Sequence, residues 1–384
     1  LDDGALAAAV LALRAALRRQ GTEGAVLAQG CAVLREVARR VLGLRHHDVQ
    51  LLGALAILDG RVAEMDTGEG KTVTAALAAG LAALAGWPTH VVTVNDYLAE
   101  RDAAELAPFY RALGLTVGAV VHGQDPAARA AAYRNDIAYC SNKELAFDYL
   151  RDRIALGRAA GPARLKLGRA LGAAAGGRVV LRGLTFAIVD EADSVLVDEA
   201  RTPLIISRQT DATEERAWAE QALALGDALR EGEDFRLLRE ERRVRLTPAG
   251  RARLEELGCA LGGAWASRIR REEAARQALS ARHLFQRGDH YLVREGKVEI
   301  VDEHTGRVMA DRSWSDGLHQ IVEAKEGVEV TTRKLAVARM TYQRLFRRYR
   351  RLAGMTGTAR EARGEFWSVY RLRVARIPPN LPSR

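Results

Sequence analysis

The side chains best suited to chemistry lie in a glycine-rich segment at residues 63–72, which reads AEMDTGEGKT. A strand-like stretch precedes this segment and an apolar helical pattern follows it. Gly68 and Gly70 allow successive backbone N–H groups to face phosphates without a Cβ in the way, and the helix N-terminus adds donors and a favourable dipole. Lys71 would reach the β- and γ-phosphates, and Thr72 would ligate magnesium. We therefore predict that this P-loop, residues 67–72, binds ATP with Mg²⁺.

A second candidate for the same site is an acidic motif at residues 190–193, which reads DEAD. It follows the apolar run 184–189, which is typical of a buried strand. Acids at the carboxyl end of a strand are where nucleotide hydrolases hold magnesium and orient water. We assign the magnesium contact to Asp190 and the polarisation of the attacking water to Glu191.

Weaker signals fit the same chemistry. Gln50 lies 21 residues before Lys71, where its amide could recognise the adenine edge. The tripeptide at 356–358 (TGT) could sense the γ-phosphate. One departure is that Met65 stands where the strict P-loop pattern has glycine. The cluster at 302–304 (DEH) resembles a metal site, but adjacent strand residues point to opposite faces, so we interpret it as part of a hairpin turn.

The elements that would position these residues follow from apolar periodicity. Residues 5–19 and 25–43 have helical spacing, and short apolar strands then alternate with helices up to residue 207. This alternation predicts an α/β fold with a parallel sheet and helices on both faces. We predict strands at 90–94, 116–121, 136–140 and 184–189, before the acidic motif. We predict a further strand of the same sheet at 374–377.

A charged, helix-prone region with short strands begins after residue 207. It includes a predicted hairpin of 297–301 with 307–309, and a basic helix at 332–352 leads back to the first sheet. We therefore predict an inserted α+β domain. The predicted division is a nucleotide-binding domain at 1–207, the inserted domain at 208–340, and a return to the first domain at 341–384.

Composition narrows the class of protein. The chain has 384 residues, a formal net charge of +9 and 48% hydrophobic residues, as expected for a globular protein with more than one domain. Cys31, Cys140 and Cys259 are isolated, which argues against a disulfide framework or structural zinc and fits a reducing cytosol. No apolar run is long enough to predict a membrane span. Because the chain starts with Leu1 and has no secretion signal, we interpret it as part of a cytosolic protein.

Several phrases together resemble the SecA family, the ATPases that drive preproteins through the SecYEG channel. The resemblance covers nearly all residues from about 45 onward. The stretches at 198–207 and 314–327 are the most specific, because generic helicases have no counterpart to them. The phrases that carry the resemblance are DVQLLG (48–53), AEMDTGEGKT (63–72), VVTVNDYL (91–98), FDYLRD (147–152), IVDEAD (188–193), DEARTPLIIS (198–207), VDEHTGRVM (301–309), WSDGLHQ (314–320), EAKEG (323–327) and LAGMTGTA (352–359).

The resemblance implies a P-loop RecA-like (DEAD-type) fold, and it implies that 208–340 is the preprotein cross-linking domain. It implies that Asp190 holds magnesium, that Glu191 acts on the catalytic water, and that Gln50 recognises adenine. The residues it implies as the phosphate and magnesium binders are Thr67, Gly68, Glu69, Gly70, Lys71 and Thr72.

The partners implied are unfolded preprotein, the SecYEG channel and anionic membrane lipid, with a possible homodimer and no nucleic acid as physiological substrate. The implied location is the cytoplasm, peripherally at the inner face of the membrane. Two family features differ: His47 stands where the family usually has Phe, and 158–178 is unusually rich in Ala, Gly and Arg. The family's second motor domain would follow Arg384, so we expect this chain to bind nucleotide but to turn it over slowly without that domain's arginine.

Two alternatives remain open from the sequence. A DEAD-box nucleic-acid helicase would share the P-loop, the acidic motif and the basic charge. Helicases place their next motif a few tens of residues after the acidic motif, whereas positions 191 and 356 are 165 residues apart. The second alternative is a non-enzymatic membrane-surface or scaffold protein, whose binding residues would be Arg344, Arg347, Arg348, Arg350 and Arg351 on the predicted basic helix.

Overall fold

The computed structural model describes residues 2–157, 179–302, 307–309 and 312–381. The low-complexity stretch 158–178 and most of the 302–304 cluster lie outside these residues. The helices are α1 (Asp3–Gln20), α2 (Gly24–Leu42), α3 (Asp48–Leu58), α4 (Lys71–Leu84), α5 (Asp96–Ala112), α6 (Pro126–Arg134), α7 (Asn142–Leu156), α8 (Ala212–Asp227), α9 (Pro248–Leu261), α10 (Arg268–His283), α11 (Leu318–Lys325), α12 (Tyr342–Phe346) and α13 (Arg363–Glu365).

The strands follow in the same chain order, and π-helical turns at Ser194–Asp198 and Phe366–Tyr370 lie between some of them. The strands are β1 (Arg61–Glu64), β2 (Thr89–Thr93), β3 (Val117–Val120), β4 (Ile137–Ser141), β5 (Phe186–Asp190), β6 (Pro203–Gln209), β7 (Phe235–Leu238), β8 (Arg243–Leu246), β9 (Tyr291–Arg294), β10 (Lys297–Val301), β11 (Val308–Met309), β12 (Lys334–Thr341), β13 (Arg351–Thr356) and β14 (Arg373–Arg376).

The described residues form two compact units. The first comprises Leu1–Ile206 and Val337–Arg384, and the second comprises Ser207–Ala336. Strands β6 and β12, which contain the two points where the chain passes between the units, pair with each other.

The first unit is built on a seven-stranded sheet in the order β14-β1-β13-β5-β2-β4-β3. All six pairs of neighbouring strands in this sheet are parallel. Because the sheet is covered on both faces, β2 and β4 are buried along their whole length rather than alternately. The predicted α/β fold with a parallel sheet is therefore confirmed.

Two apolar clusters cover the two faces of this sheet. One contains residues of α1 to α5, and the other contains residues of α7, α12 and the π-helical turns. Helix α4 is almost entirely alanine, leucine, glycine and threonine, and it is buried from Thr74 to Leu84. A helix that is apolar all round must be buried, so this composition places α4 inside the first cluster.

The second unit has its own core and smaller sheets. Its apolar cluster contains residues of α8, α9, α10 and α11, with Phe235 and Tyr291 fully buried. Strands β9, β10 and β11 form an antiparallel sheet, in which Val301 pairs with Val308. The predicted hairpin of 297–301 with 307–309 is therefore confirmed.

The predicted basic helix at 332–352 is wrong. Residues 334–341 form β12, the helix α12 covers only Tyr342–Phe346, and β13 begins at Arg351. Residues 335–338 of β12 are a continuous apolar run (LAVA), a short strand-like signal that the density of arginines obscured. The arginines assigned to one helix therefore lie on a strand, a short helix and the turn between them.

No helix among the described residues has both the length and the apolar character needed to cross a membrane.

Candidate nucleotide-binding site

The P-loop lies at the carboxyl end of β1, as the parallel sheet requires. Gly68 and Gly70 have φ of 89° and 81°, in the left-handed region that favours glycine, and α4 begins directly at Lys71. The start of the loop is fixed by Met65, whose N–H donates to the carbonyl of Thr356 at 3.0 Å. The loop thus connects a buried strand to a helix N-terminus, an arrangement that favours bound anions.

Gln50 lies beside the P-loop, where the sequence predicted an adenine contact. Its Oε1 accepts from the backbone N–H of His47 at 2.9 Å, and its Nε2 donates to the carbonyl of Glu69 at 2.8 Å. An amide side chain has two N–H donors and two lone pairs, so one donor and one acceptor remain. That pair complements the acceptor and donor on the outer edge of adenine.

Close packing of α3 positions Gln50. An added Cβ at Gly53 would lie 2.9 Å from both Met65 Sδ and Thr74 Cγ2, so only glycine allows α3 this near to the P-loop. An added Cβ at Gly70 would lie 2.5 Å from Gln50 Nε2. Gly53 is therefore favoured by contact alone, whereas Gly70 is favoured both by contact and by its left-handed φ of 81°.

The acidic motif meets the P-loop at Lys71. Strand β5 ends at Asp190, and the next residue, Glu191, has a positive φ of 45°, which is uncommon for a residue with a side chain. Glu191 Oε1 lies 3.2 Å from Lys71 Nζ, with the lysine side chain only 14% exposed. The structure thus brings together the two motifs that lie 120 positions apart, at 71 and 191.

Asp190 is placed so that its negative charge is costly in the free protein. Burial and the neighbouring Glu191 raise the pKa of Asp190 to about 6, and a hydrogen bond from the Glu191 N–H and the charge of Lys71 only partly oppose them. A bound cation would relieve this cost, since it supplies positive charge where two carboxylates meet.

The described residues contain no group of three or more His, Cys, Asp or Glu side chains that could hold a metal ion. A magnesium ion bound with a nucleotide needs only one or two protein oxygens, because phosphates and water complete its shell. The Asp190 carboxylate at the end of β5 and the Thr72 hydroxyl in the first turn of α4 are oxygen donors of the required kind.

Asp193 has a contact that the sequence did not predict. Its carboxylate accepts hydrogen bonds from the hydroxyl of Thr356, at 2.8 Å, and from that of Thr358. Burial alone would raise the pKa of Asp193, but these hydrogen bonds hold that pKa below its usual range. Thr356 and Thr358 thus connect the end of β13 to the acidic motif after β5.

The 356–358 tripeptide also reaches the P-loop. An added Cβ at Gly357 would lie 3.8 Å from the Thr67 hydroxyl and 3.9 Å from Lys71 Nζ. The sequence suggested a γ-phosphate sensor here, but the hydroxyls of the two threonines form hydrogen bonds with Asp193 and between the two threonines themselves. The sequence contains both threonines, but it does not predict their contact with Asp193. That contact depends on β13 lying beside β5 in the sheet.

A parallel α/β sheet with a glycine loop between β1 and α4, and with acids at the end of β5, defines a P-loop nucleotide-binding domain. The family described as "SecA DEAD-like domain" matches residues 1–367. The chain belongs to the SecA family, as its sequence motifs predicted.

Curated relatives match the chain along nearly its whole length. It is 50% identical to "Protein translocase subunit SecA 3" of Magnetococcus marinus over 97% of this chain and 56% of that protein. It is 53% identical to "Protein translocase subunit SecA 2" of Bordetella avium over 96% of this chain and 56% of that protein. The chain therefore spans about half the length of the curated relatives it matches.

Among solved structures, a hypothetical ATP-dependent RNA helicase from Sulfolobus tokodaii matches at 22% identity. The match covers 43% of this chain and 44% of that one, with a TM-score of 0.28. This likeness is too distant to support an argument about activity.

Proposed function

We propose that this chain is the ATP-binding motor part of a protein translocase that couples ATP hydrolysis to the movement of unfolded preproteins through the SecYEG channel. The observation that carries the proposal is the 3.2 Å ion pair between Lys71 and Glu191. It supports the proposal because Lys71, which we propose binds phosphate, lies beside Glu191, which we propose activates water, in a member of the SecA family.

The proposed binding residues surround the nucleotide from base to phosphate. Gln50 offers its remaining donor and acceptor to adenine. The N–H groups of the loop and of the start of α4 receive the phosphates, and Lys71 leaves Glu191 to pair with them. The loop residues assigned to this role are Thr67, Gly68, Glu69, Gly70, Lys71 and Thr72.

The proposed catalytic residues lie at the end of β5. Asp190 and the Thr72 hydroxyl would hold Mg²⁺, which when bound neutralises charge on the phosphate oxygens. Glu191, once released from Lys71, orients the attacking water and accepts its proton. Glu191 is suited to this role because its side chain is 42% exposed, which allows water to approach it.

We propose that the unit Ser207–Ala336 is the preprotein cross-linking domain and binds the unfolded substrate. Family membership supports this assignment, together with the presence in that unit of the characteristic stretch at 314–327. The proposed partners include a possible second copy of the chain. No nucleic acid is proposed as physiological substrate.

Anionic lipid is proposed as a further partner, with the protein in the cytoplasm and peripherally at the inner face of the membrane. The arginines that would meet the lipid are exposed at Arg344, Arg347 and Arg350. The other two of the five arginines that the sequence analysis named lie over aromatic rings. Arg348 lies 5.6 Å from the Tyr149 ring, and Arg351 lies 3.9 Å from the Trp87 ring.

The test is a comparison of substrates. A photo-crosslinker on an unfolded preprotein segment should label residues within 207–336 in the presence of Mg·ATP, and digestion followed by mass spectrometry would locate the labels. Single-stranded RNA should neither compete for this labelling nor stimulate ATP hydrolysis. RNA-stimulated hydrolysis without preprotein labelling would contradict the translocase proposal and favour a helicase.

A further inference from the structure

Glu69, between the two left-handed glycines of the P-loop, is held at three points. Its N–H donates to the carbonyl of Asp66 at 3.3 Å, and its carbonyl accepts from Gln50 Nε2 at 2.8 Å. Its Oε2 accepts from the backbone N–H of Asn380 at 3.0 Å. The first two bonds belong to the site, but the third connects the P-loop to a segment 311 residues away.

The segment that contains Asn380 is itself well fixed. Ile377 extends the pairing of β14, because its N–H donates to the carbonyl of Glu64 at 2.9 Å. Pro378 and Pro379 follow, and each has a fixed φ and no N–H group. Asn380 is therefore the first residue beyond the sheet that can donate a backbone hydrogen bond, and it donates to the P-loop.

A carboxylate is an unexpected group in a phosphate-binding loop, because its charge repels the ligand. The bond from Asn380 gives this carboxylate a partner within the protein. It also connects the loop to the exit of β14, which a side chain without an acceptor oxygen at this position would not do.

We propose that Glu69 is a positioning residue that ties the P-loop to residues 377–380, so that phosphate binding and the placement of this exit segment are coupled. This inference rests on the proposed ATP-binding function. Coupling between two sites is reciprocal, so a nucleotide that orders the loop must also order the segment that the loop holds.

The negative charge of the Glu69 side chain and its ability to accept from Asn380 can be separated by substitution. Glu69→Gln removes the charge but keeps an oxygen that can accept from Asn380, whereas Glu69→Ala removes both. Because both variants lose the charge, they differ in whether residue 69 can accept the hydrogen bond from Asn380. Loss of the tie should make the alanine variant bind three- to tenfold more weakly than the glutamine variant, roughly the effect of one hydrogen bond.

The experiment titrates the full chain and these variants with fluorescent mant-ADP and Mg²⁺, and follows amide hydrogen exchange of Asn380 by mass spectrometry. In the original chain, mant-ADP should slow exchange at Asn380, and this response should persist in Glu69→Gln and vanish in Glu69→Ala. A matched control is Asp136→Ala, which removes a carboxylate that accepts from the Thr116 N–H at 2.9 Å near the opposite edge of the sheet. This control should bind mant-ADP like the original chain.

Equal affinities of Glu69→Ala and Glu69→Gln, or an Asn380 exchange rate that does not respond to mant-ADP, would overturn the inference. If the original chain bound no mant-ADP, the proposed function would fail instead. The hydrogen bond between Glu69 and Asn380 would still be tested in that case. Without nucleotide, the Asn380 amide must exchange faster in Glu69→Ala than in Glu69→Gln, and equal exchange rates would contradict the proposed tie.

Discussion

Gly70 is the residue of the P-loop that tolerates least change, because two separate constraints meet there. Its φ is 81°, and an added Cβ would lie 2.5 Å from Gln50 Nε2. Gly123 has nearly the same φ, 83°, but nothing lies within 4 Å of an added Cβ. The two positions therefore separate backbone strain from contact with Gln50.

We predict that Gly70→Ala weakens Mg·ADP binding at least tenfold, because the methyl group displaces Gln50 and shifts the loop that receives the phosphates. Gly123→Ala should cost about 1 kcal/mol of stability through strain but leave the affinity unchanged. Titration calorimetry and urea unfolding measure the two effects. Similar affinities for the two variants would mean that the contact with Gln50 does not matter for binding.

Residue types and spacing were sufficient to predict that the P-loop, the acidic motif and Gln50 lie close together. The P-loop, the acidic motif and Gln50 are each local patterns, and the structure brings Lys71 to Glu191 and Gln50 to Glu69. The contacts of Asp193 with Thr356 and of Glu69 with Asn380 could not be predicted in the same way. Each depends on which strands are neighbours, and neighbouring strands in this sheet are far apart in sequence.

At the scale of elements, β5 and β13 are joined beyond their backbone pairing by the hydroxyl of Thr356, which is fully buried and donates to Asp193. We predict an interaction free energy of about 1–2 kcal/mol between these two side chains, because a hydroxyl that donates to a carboxylate forms a charge-assisted bond. A double-mutant cycle with Thr356→Val and Asp193→Asn, followed by urea unfolding, measures it.

The control pairs Asp193→Asn with Thr341→Val, since the Thr341 hydroxyl caps α12 by accepting from the Arg344 N–H. These two changes should be additive. Additivity in the Thr356 cycle as well would show that the β5–β13 link carries no energy.

Strand β2 carries a buried histidine that makes this sheet sensitive to acid. His90 is 3% exposed, its Nδ1 lies 2.6 Å from the Tyr349 hydroxyl, and burial lowers its pKa to about 4. In the unfolded chain the imidazole takes up a proton near pH 6.5, whereas in the folded chain it stays neutral down to about pH 4. Stability is therefore lost as the pH falls through this window.

We predict that His90→Gln removes about 2–3 kcal/mol of this acid-dependent loss between pH 7 and pH 4, because glutamine does not titrate and can still bond to Tyr349. Urea unfolding at several pH values measures the difference between the original chain and the variant. Parallel stability curves for the two would contradict a lowered pKa of His90.

Element boundaries show where sequence patterns fail. Local spacing was enough to predict the buried strands β2, β4 and β5, because parallel strands covered on both faces are continuously apolar. The basic helix at 332–352 was wrong because the charged residues were given more weight than the apolar run 335–338 in β12 and the run LAGM at 352–355 in β13. Pairing of β12 with β6 and of β13 with β1 and β5 decides these segments, and it is not local information.

At the scale of the whole molecule, the two units have separate cores. The apolar clusters of the first unit contain no residue of Ser207–Ala336, and the cluster of the second lies wholly within that range. We predict that replacing residues 210–333 by a short glycine-serine linker leaves the first unit folded, with Mg·ADP affinity within about twofold of the original. Circular dichroism and calorimetry would test this, and loss of cooperative unfolding would show that the cores depend on each other.

The central claim is that the P-loop and the acidic motif form one nucleotide site in this member of the SecA family. Its most direct measurement is calorimetric titration of the chain with a slowly hydrolysed ATP analogue and Mg²⁺, beside Lys71→Ala and the control Arg239→Ala, which changes an exposed arginine just after β7. We predict one bound nucleotide per chain for the original and the control, and at least a hundredfold loss of affinity for Lys71→Ala. Binding that survives Lys71→Ala unchanged, or no binding by the original chain, would contradict the claim.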